Sequence, residues 1–203
     1  MSHQDQVREL LEQYGTTYAD EAGITLRDKP APLYQLLVLT VLFSVRIRAD
    51  IAVAAARELF KAGWRTPKAL LGSTWQQRVD ALGRGGYQRY DESTATYLAD
   101  DAQLLLDRYR GDLRGLRDEA GGDPDVIRER LTEFPRIGPV GAEIFCREAQ
   151  AVWPGLRPSF DRRALTAARD AGLPADAESL AGLVPAKDLR RLAAALVRRS
   201  LSG

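Results

Sequence analysis

The stretch Leu33–Arg46, LYQLLVLTVLFSVR, carries apolar side chains around nearly the whole circumference of a helix instead of along one stripe. A helix of that kind has no face for water and must be enclosed by other elements. A bilayer does not provide the enclosure. The longest apolar run, Leu36–Val45, is interrupted by Thr40 and Ser44, ends at Arg46, and is far short of the roughly 20 residues needed to span a membrane. The rest of the chain must therefore supply the surround, and 203 residues suffice for one or two domains with a real core.

The surround is also helical. Strand signals are scarce, and a helical period recurs from end to end. Gln4–Tyr14 sets Val7, Leu10, Leu11 and Tyr14 on one face. Ala49–Lys61 has Asp50 near its start and Gly63 after its end. Thr66-Pro67 opens a short helix, Pro67–Leu71, and Thr74 caps Thr74–Leu82. The Gly-rich turn GRGGYQRYDE leads into a long amphipathic helix, Ser93–Arg110, and EAGGDP marks a loop. Asp125–Phe134, Val140–Val152, Arg162–Ala171, Ala177–Leu183 and Ala186–Arg199 complete the chain. The expected class is all-α, with a central helical bundle over 32–135. Residues 1–31 and 136–203 are expected to form a second lobe.

Composition removes several function classes. One cysteine, Cys146, excludes an internal disulfide and any Cys-rich zinc or iron–sulfur site, and its place in an apolar helix pattern marks it as a small buried hydrophobe. With His3 as the one histidine, near the terminus, His-based catalysis and a His metal site are not expected. The polar, charged start MSHQDQVREL is no signal peptide, so a reducing cytoplasmic or nucleoid location and no membrane partner are the expectation. The net charge of +1 announces no particular partner. Only four of 29 basic residues are lysines, a skew that suits GC-rich coding and equally suits phosphate contacts through the planar fork of arginine. The segment Arg157–Arg199 has nine basic and five acidic residues, a charge fitting either a DNA-facing surface or a solvated helix face.

One segment asks for chemistry. In EFPRIGPVGAEIF, Pro135 ends a helix, Gly138 permits a tight turn and Pro139 starts the next helix with its fixed φ. The product is a helix–hairpin–helix whose tip presents backbone N–H groups beside a helix N-terminus, an arrangement that holds a phosphate oxygen without reading sequence. Pro135, Arg136, Ile137, Gly138, Val140 and Gly141 are thus candidate DNA contacts, with Gly141 and Ala142 permitting close approach of a helix or of DNA. The pattern by itself also fits two helices joined for no other purpose. Some twenty residues later comes Ser159-Phe160-Asp161-Arg162-Arg163, where Asp161 can cap the helix that follows. Capping and catalysis are compatible there.

In their order, these segments resemble the helix–hairpin–helix glycosylase superfamily typified by endonuclease III, over about Pro32 to Leu173. LYQLLVLTVLFSVRIRAD is similar to its first long helix, GGYQRYDESTATYL to the loop and helix that wedge into the duplex, FPRIGPVGAEIF to the hairpin, and FDRRAL to the segment with the catalytic aspartate. The resemblance implies two helical lobes with a DNA-binding cleft between them. It implies cleavage of the N-glycosidic bond of a base flipped out of double-stranded DNA, by a monomer, with Asp161 stabilising the positive charge that develops on the sugar.

The chain also departs from that family. Val140 stands where bifunctional members carry the lysine that forms a Schiff base, which points to a monofunctional enzyme using water. Lys68 or Lys187 could substitute only from elsewhere. Arg136 replaces the first hairpin glycine, and a disfavoured backbone conformation is expected at it. The four-cysteine loop is missing, so no iron–sulfur cluster is implied; a monovalent cation at the hairpin is compatible. Arg46 or Arg48 stands near the family glutamine that fills the gap left by the flipped base, although both also read as a solvated helix end. Tyr87 and Gln88 lie where relatives insert a wedge residue, with the alternative that Tyr87 and Tyr90 pack back on the helices. Tyr34 and Phe145 are further candidates for the base pocket. Loss of catalysis with DNA binding retained is the rival reading, supported by Arg136 and Val140.

Overall fold

The computed structural model describes residues 2–202. Helices α1 (His3–Tyr14), α2 (Tyr18–Glu21), α3 (Pro30–Leu42), α4 (Ala49–Lys61) and α5 (Pro67–Leu71) make up the first third. Next come α6 (Trp75–Arg84), α7 (Asp91–Tyr109), α8 (Leu113–Glu119) and α9 (Pro124–Leu131). The chain closes with α10 (Pro139–Ala149), α11 (Arg162–Asp170), α12 (Ala177–Ala181) and α13 (Leu189–Leu201), plus single turns of 3-10 helix at Pro154–Leu156 and Ala186–Asp188. No strand occurs among the described residues.

Helix α3 is the axis of the molecule. Every residue from Leu33 to Leu42 is buried, and the helix packs against α4, α7, α8 and α10. Such a burial stabilises by about 1.5–3 kcal/mol for each large apolar side chain. The helix starts earlier than the sequence pattern suggests, because Pro30 and Pro32 both fall in a first turn that needs no N–H donors. It also stops at Leu42 instead of Arg46. The Ser44 hydroxyl donates to the Val41 carbonyl at 2.6 Å and takes over a helix-end acceptor, and the chain then runs out as a loop to Arg48.

Around this axis, α4 packs on α6, and α7 packs on α5 and α6. Gly85, at the end of α6, lies so close to α4 that a Cβ there would sit 2.4 Å from the Cα of Ala55. On the other side, α13 packs against α1 and α11. The hairpin helix α10 contacts α3 and α9 on one side and α13 on the other, so it joins the two groups. Two short helices escape the periodicity reading, α2 and α8. Each is capped by a side chain that carries no apolar signal, Thr17 and Asp112 respectively.

Candidate functional site

The hairpin forms between α9 and α10. Ile137 N–H donates to the Phe134 carbonyl at 3.0 Å, closing the turn. Arg136 takes the left-handed conformation expected of it, at φ 68°, where a side chain costs about 1–2 kcal/mol. Its guanidinium is not free: it lies 4.5 Å from the centre of the Tyr97 ring on α7. Pro135 is half-buried, and Gly138, the N-cap of α10, is exposed. The Ile137 side chain is buried and anchors the tip. Gly141 is buried as well. A Cβ at this glycine would meet Ile137 Cγ2 at 3.3 Å and Thr40 Cγ2 at 3.7 Å, so its smallness serves the close approach of α3. Ile137 and Gly141 are therefore enclosed within the hairpin, and the Ile137 N–H is already engaged with Phe134.

Val140 is 69% exposed, an unusual state for a large aliphatic side chain. It begins a stripe on α10, with Glu143, Ile144 and Arg147, that forms one wall of a cleft of about 1190 Å³. The opposite walls come from Asp161, Arg162 and Thr166 of α11, from Val197 and Arg198 of α13, from Tyr18 and Glu21 of α2, and from Phe43 and Ile47 to Asp50 after α3. Val140 and Arg147 are two helical turns apart on the same face, a rise of about 10 Å.

Asp161 lies at the Arg147 end of this stripe, and several contacts fix it. Gln150 is fully buried and clamps the chain two residues before Asp161: its Oε1 accepts from Ser159 N–H at 3.0 Å and its Nε2 donates to the Ser159 carbonyl at 2.7 Å. Arg157 turns back to donate to the carbonyls of Gln150 (2.7 Å) and Ala151 (2.8 Å). Asp161 then caps α11, its Oδ1 accepting from Ala164 N–H at 2.8 Å. Its Oδ2 accepts from the Arg147 guanidinium in an ion pair whose two side chains are only 4% and 7% exposed. Sequence reading missed Arg147. The available signal was a basic residue on the Val140 face of the helix, seven residues after Val140.

The other candidates divide. Arg48 faces the cleft but is held by Asp50 at 3.0 and 2.7 Å in an exposed pair. Arg46 is exposed and does not line the cleft. Tyr87 is not a wedge. It is fully buried, its hydroxyl donates to the Leu42 carbonyl at 3.0 Å, and burial pushes its phenol up to about 12. It closes the end of α3 because an aromatic in a Gly-rich turn can fold inward to a free carbonyl as readily as outward. Gln88, next to it, is exposed. Tyr34 and Phe145 are also core residues, 1% and 0% exposed, and form no part of the cleft. Lys68 and Lys187 are exposed and away from it. Cys146 is buried, its thiol pushed up to about 12 by its apolar surroundings. Among the described residues, no helix is long and apolar enough to cross a membrane, and no three His, Cys, Asp or Glu side chains gather in a metal-holding group.

The sequence matches no protein-family model and no curated protein. Its structure is similar to two solved complexes. One is a non-covalent endonuclease III–DNA complex, at 15% identity and a TM-score of 0.56. The other is a trapped endonuclease III–DNA covalent intermediate with an estranged adenine, at 17% identity and a TM-score of 0.50. Both alignments cover 97% of this chain and 85% of the other. An all-helical chain, a hairpin between α9 and α10, and an aspartate-capped helix after it are thus arranged in the endonuclease III fold.

Proposed function

We propose that this protein is a monofunctional DNA glycosylase of base excision repair, a monomer that hydrolyses the N-glycosidic bond of a damaged or mispaired base in duplex DNA. The observation that carries this reading is that Val140 and Asp161 line one cleft. A carboxylate on its floor and an exposed isopropyl group at the hairpin end provide charge stabilisation without an amine nucleophile. No lysine lines the cleft. The cleft draws its walls from within 32–135 and from 1–31 with 136–203, which supports two lobes meeting there.

Each group has a role. The exposed residues of the tip, Arg136 and Gly138, grip a phosphate, with the Arg136 guanidinium held at Tyr97. Gln88, beside Tyr87, is exposed and is the better wedge candidate of the two. The target base must leave the stack before its C1′–N bond can be reached. As that bond breaks, positive charge grows on the sugar, and Asp161 stabilises it. Each Asp161 oxygen has one lone pair engaged and one left to meet the sugar or a water.

Duplexes carrying alkylated, deaminated, oxidised and mismatched bases test the reading. Wild type is expected to leave alkali-labile sites on one class, and Asp161→Asn to leave none. Borohydride is expected to trap no adduct on abasic DNA with wild type, and to trap one with Val140→Lys. Strand cleavage by wild type before alkali would refute the monofunctional reading. A second reading, DNA binding without catalysis, is favoured by the engagement of both Asp161 oxygens. Tight duplex binding, unchanged in Asp161→Asn, with no base released from any duplex would establish it.

A further inference from the structure

Among the described residues, five arginines lie over an aromatic ring. Three of them are also held by carboxylates: Arg108 by Glu133, Arg117 by Asp28 and Asp118, and Arg198 by Glu21. The other two, Arg89 and Arg136, are exposed and make no ion pair among the described residues. The Arg89 guanidinium is 5.4 Å from the centre of the Tyr90 ring, and that of Arg136 is 4.5 Å from the centre of the Tyr97 ring. A ring takes up the face of a guanidinium and leaves its edge of N–H donors open to an acceptor. The ring also restrains a long side chain, so less freedom is lost when that edge binds.

The two rings belong to one element. Tyr90 is the N-cap of α7, and Tyr97 lies seven residues further on, two turns along the same face and a rise of about 10 Å. Tyr90 meets Tyr87 edge-on at 6.4 Å, and Tyr87 is fastened to the Leu42 carbonyl. Phe43, the next residue after Leu42, lines the cleft, and so does Val140, four residues after Arg136. The Gly-rich turn and the hairpin thus each present a restrained arginine close along the chain to the cleft that holds Asp161. Nearby acids do not claim either one. Glu133 is taken by Arg108. Asp91 and Glu92 lie in the first turn of α7, where the helix dipole favours them, and Asp91 accepts from the Glu92 N–H at 2.7 Å. Planar guanidinium edges suit phosphate oxygens, and a DNA strand offers a phosphate about every 3.4 Å of axis, so each edge can find its own.

We propose that Arg89 and Arg136, each seated on a tyrosine of α7, grip two separate phosphates of duplex DNA and so set its register on the cleft. That the acceptor is DNA rests on the glycosylase reading. Neither arginine lines the cleft, so both are positioning residues.

Anisotropy of a labelled duplex, undamaged or with an abasic site, measured over a range of salt concentrations, tests the grip. Both arginines are exposed, so the fold does not depend on them. Arg89→Gln and Arg136→Gln are each expected to flatten the plot of log affinity against log salt by about 0.9, and the double variant by about 1.8. Each single variant should weaken binding about fivefold at low salt. Arg27→Gln removes an equal charge from another exposed arginine, before α3, and should leave the slope unchanged. Tyr97→Leu keeps the charge of Arg136 and removes its platform, so binding should weaken about threefold with the slope retained. Slopes that fall no further than in Arg27→Gln overturn the grip while duplex binding stands. A double variant no flatter than either single one puts both arginines on one phosphate and overturns the two-point grip. Affinity unchanged in Tyr97→Leu overturns the part given to the platform. Failure of wild type to bind either duplex refutes the DNA reading itself, and the grip with it.

Discussion

Two aspartates are buried to a similar degree and live in opposite surroundings. Asp161, 8% exposed on the cleft, caps a helix and pairs with Arg147. Asp101, 2% exposed on α7, has no partner for either oxygen. Burial, and then the charge of Asp100, pushes the Asp101 carboxyl up to about 8. Tyr34 on α3, whose buried hydroxyl is also unpartnered, lies near enough for Asp101 to push its phenol further up than burial alone does. Donors surround the buried acid at the cleft and are missing around the one in the α3–α7 interior.

The largest test of this contrast is pH. The folded state holds the Asp101 proton up to about 8, whereas the unfolded chain releases it near 3.8. The stability that this proton contributes is full below the lower value and is lost as pH rises through the upper one, by up to roughly 5 kcal/mol. Urea unfolding from pH 4 to 9 should show this decline, and Asp101→Asn should flatten it. A wild-type profile already flat would place a partner on Asp101.

Breaking the opposite arrangement should cost slightly less. Arg147→Met leaves Asp161 without its counter-ion and is expected to remove about 3–5 kcal/mol at neutral pH. Arg147→Met with Asp161→Asn should recover part of that loss, the recovery measuring the coupling of the pair. Additive losses would mean that the two groups act independently.

The smallest effect sharpens the interior side. Tyr34→Phe removes a buried hydroxyl that bonds to nothing, so stability should rise by about 1 kcal/mol. A comparable loss would show that the hydroxyl donates to Asp101 in solution. Thermal melts at neutral pH read either sign.

The sequence shows some of this better than the rest. An all-round apolar helix can only be an enclosed axis, and α3 is one. Pro135 and Pro139 punctuate the helices, so the hairpin declares itself, and the resemblance, which sets Arg136 where the family has a glycine, forecasts its positive φ. The fate of Tyr87 was not legible, because the same turn can aim an aromatic outward or inward and only the free carbonyl of Leu42 decides. Nor was the pairing of Arg147 with Asp161, since fourteen residues and a loop separate them and no local period connects their directions. Helix α8 was hidden by its length and by the glycine-rich segments beside it.

The clamp on Ser159 has one more implication. Gln150, Arg157 and Arg147 all fasten the Asp161 segment to α10 or the residue that ends it, and α10 itself begins at the hairpin tip. The part that would grip the backbone and the part that would meet the sugar therefore belong to one rigid lever. A hairpin tilted onto a duplex would carry the acid along, at a separation set in advance by the length of a single helix.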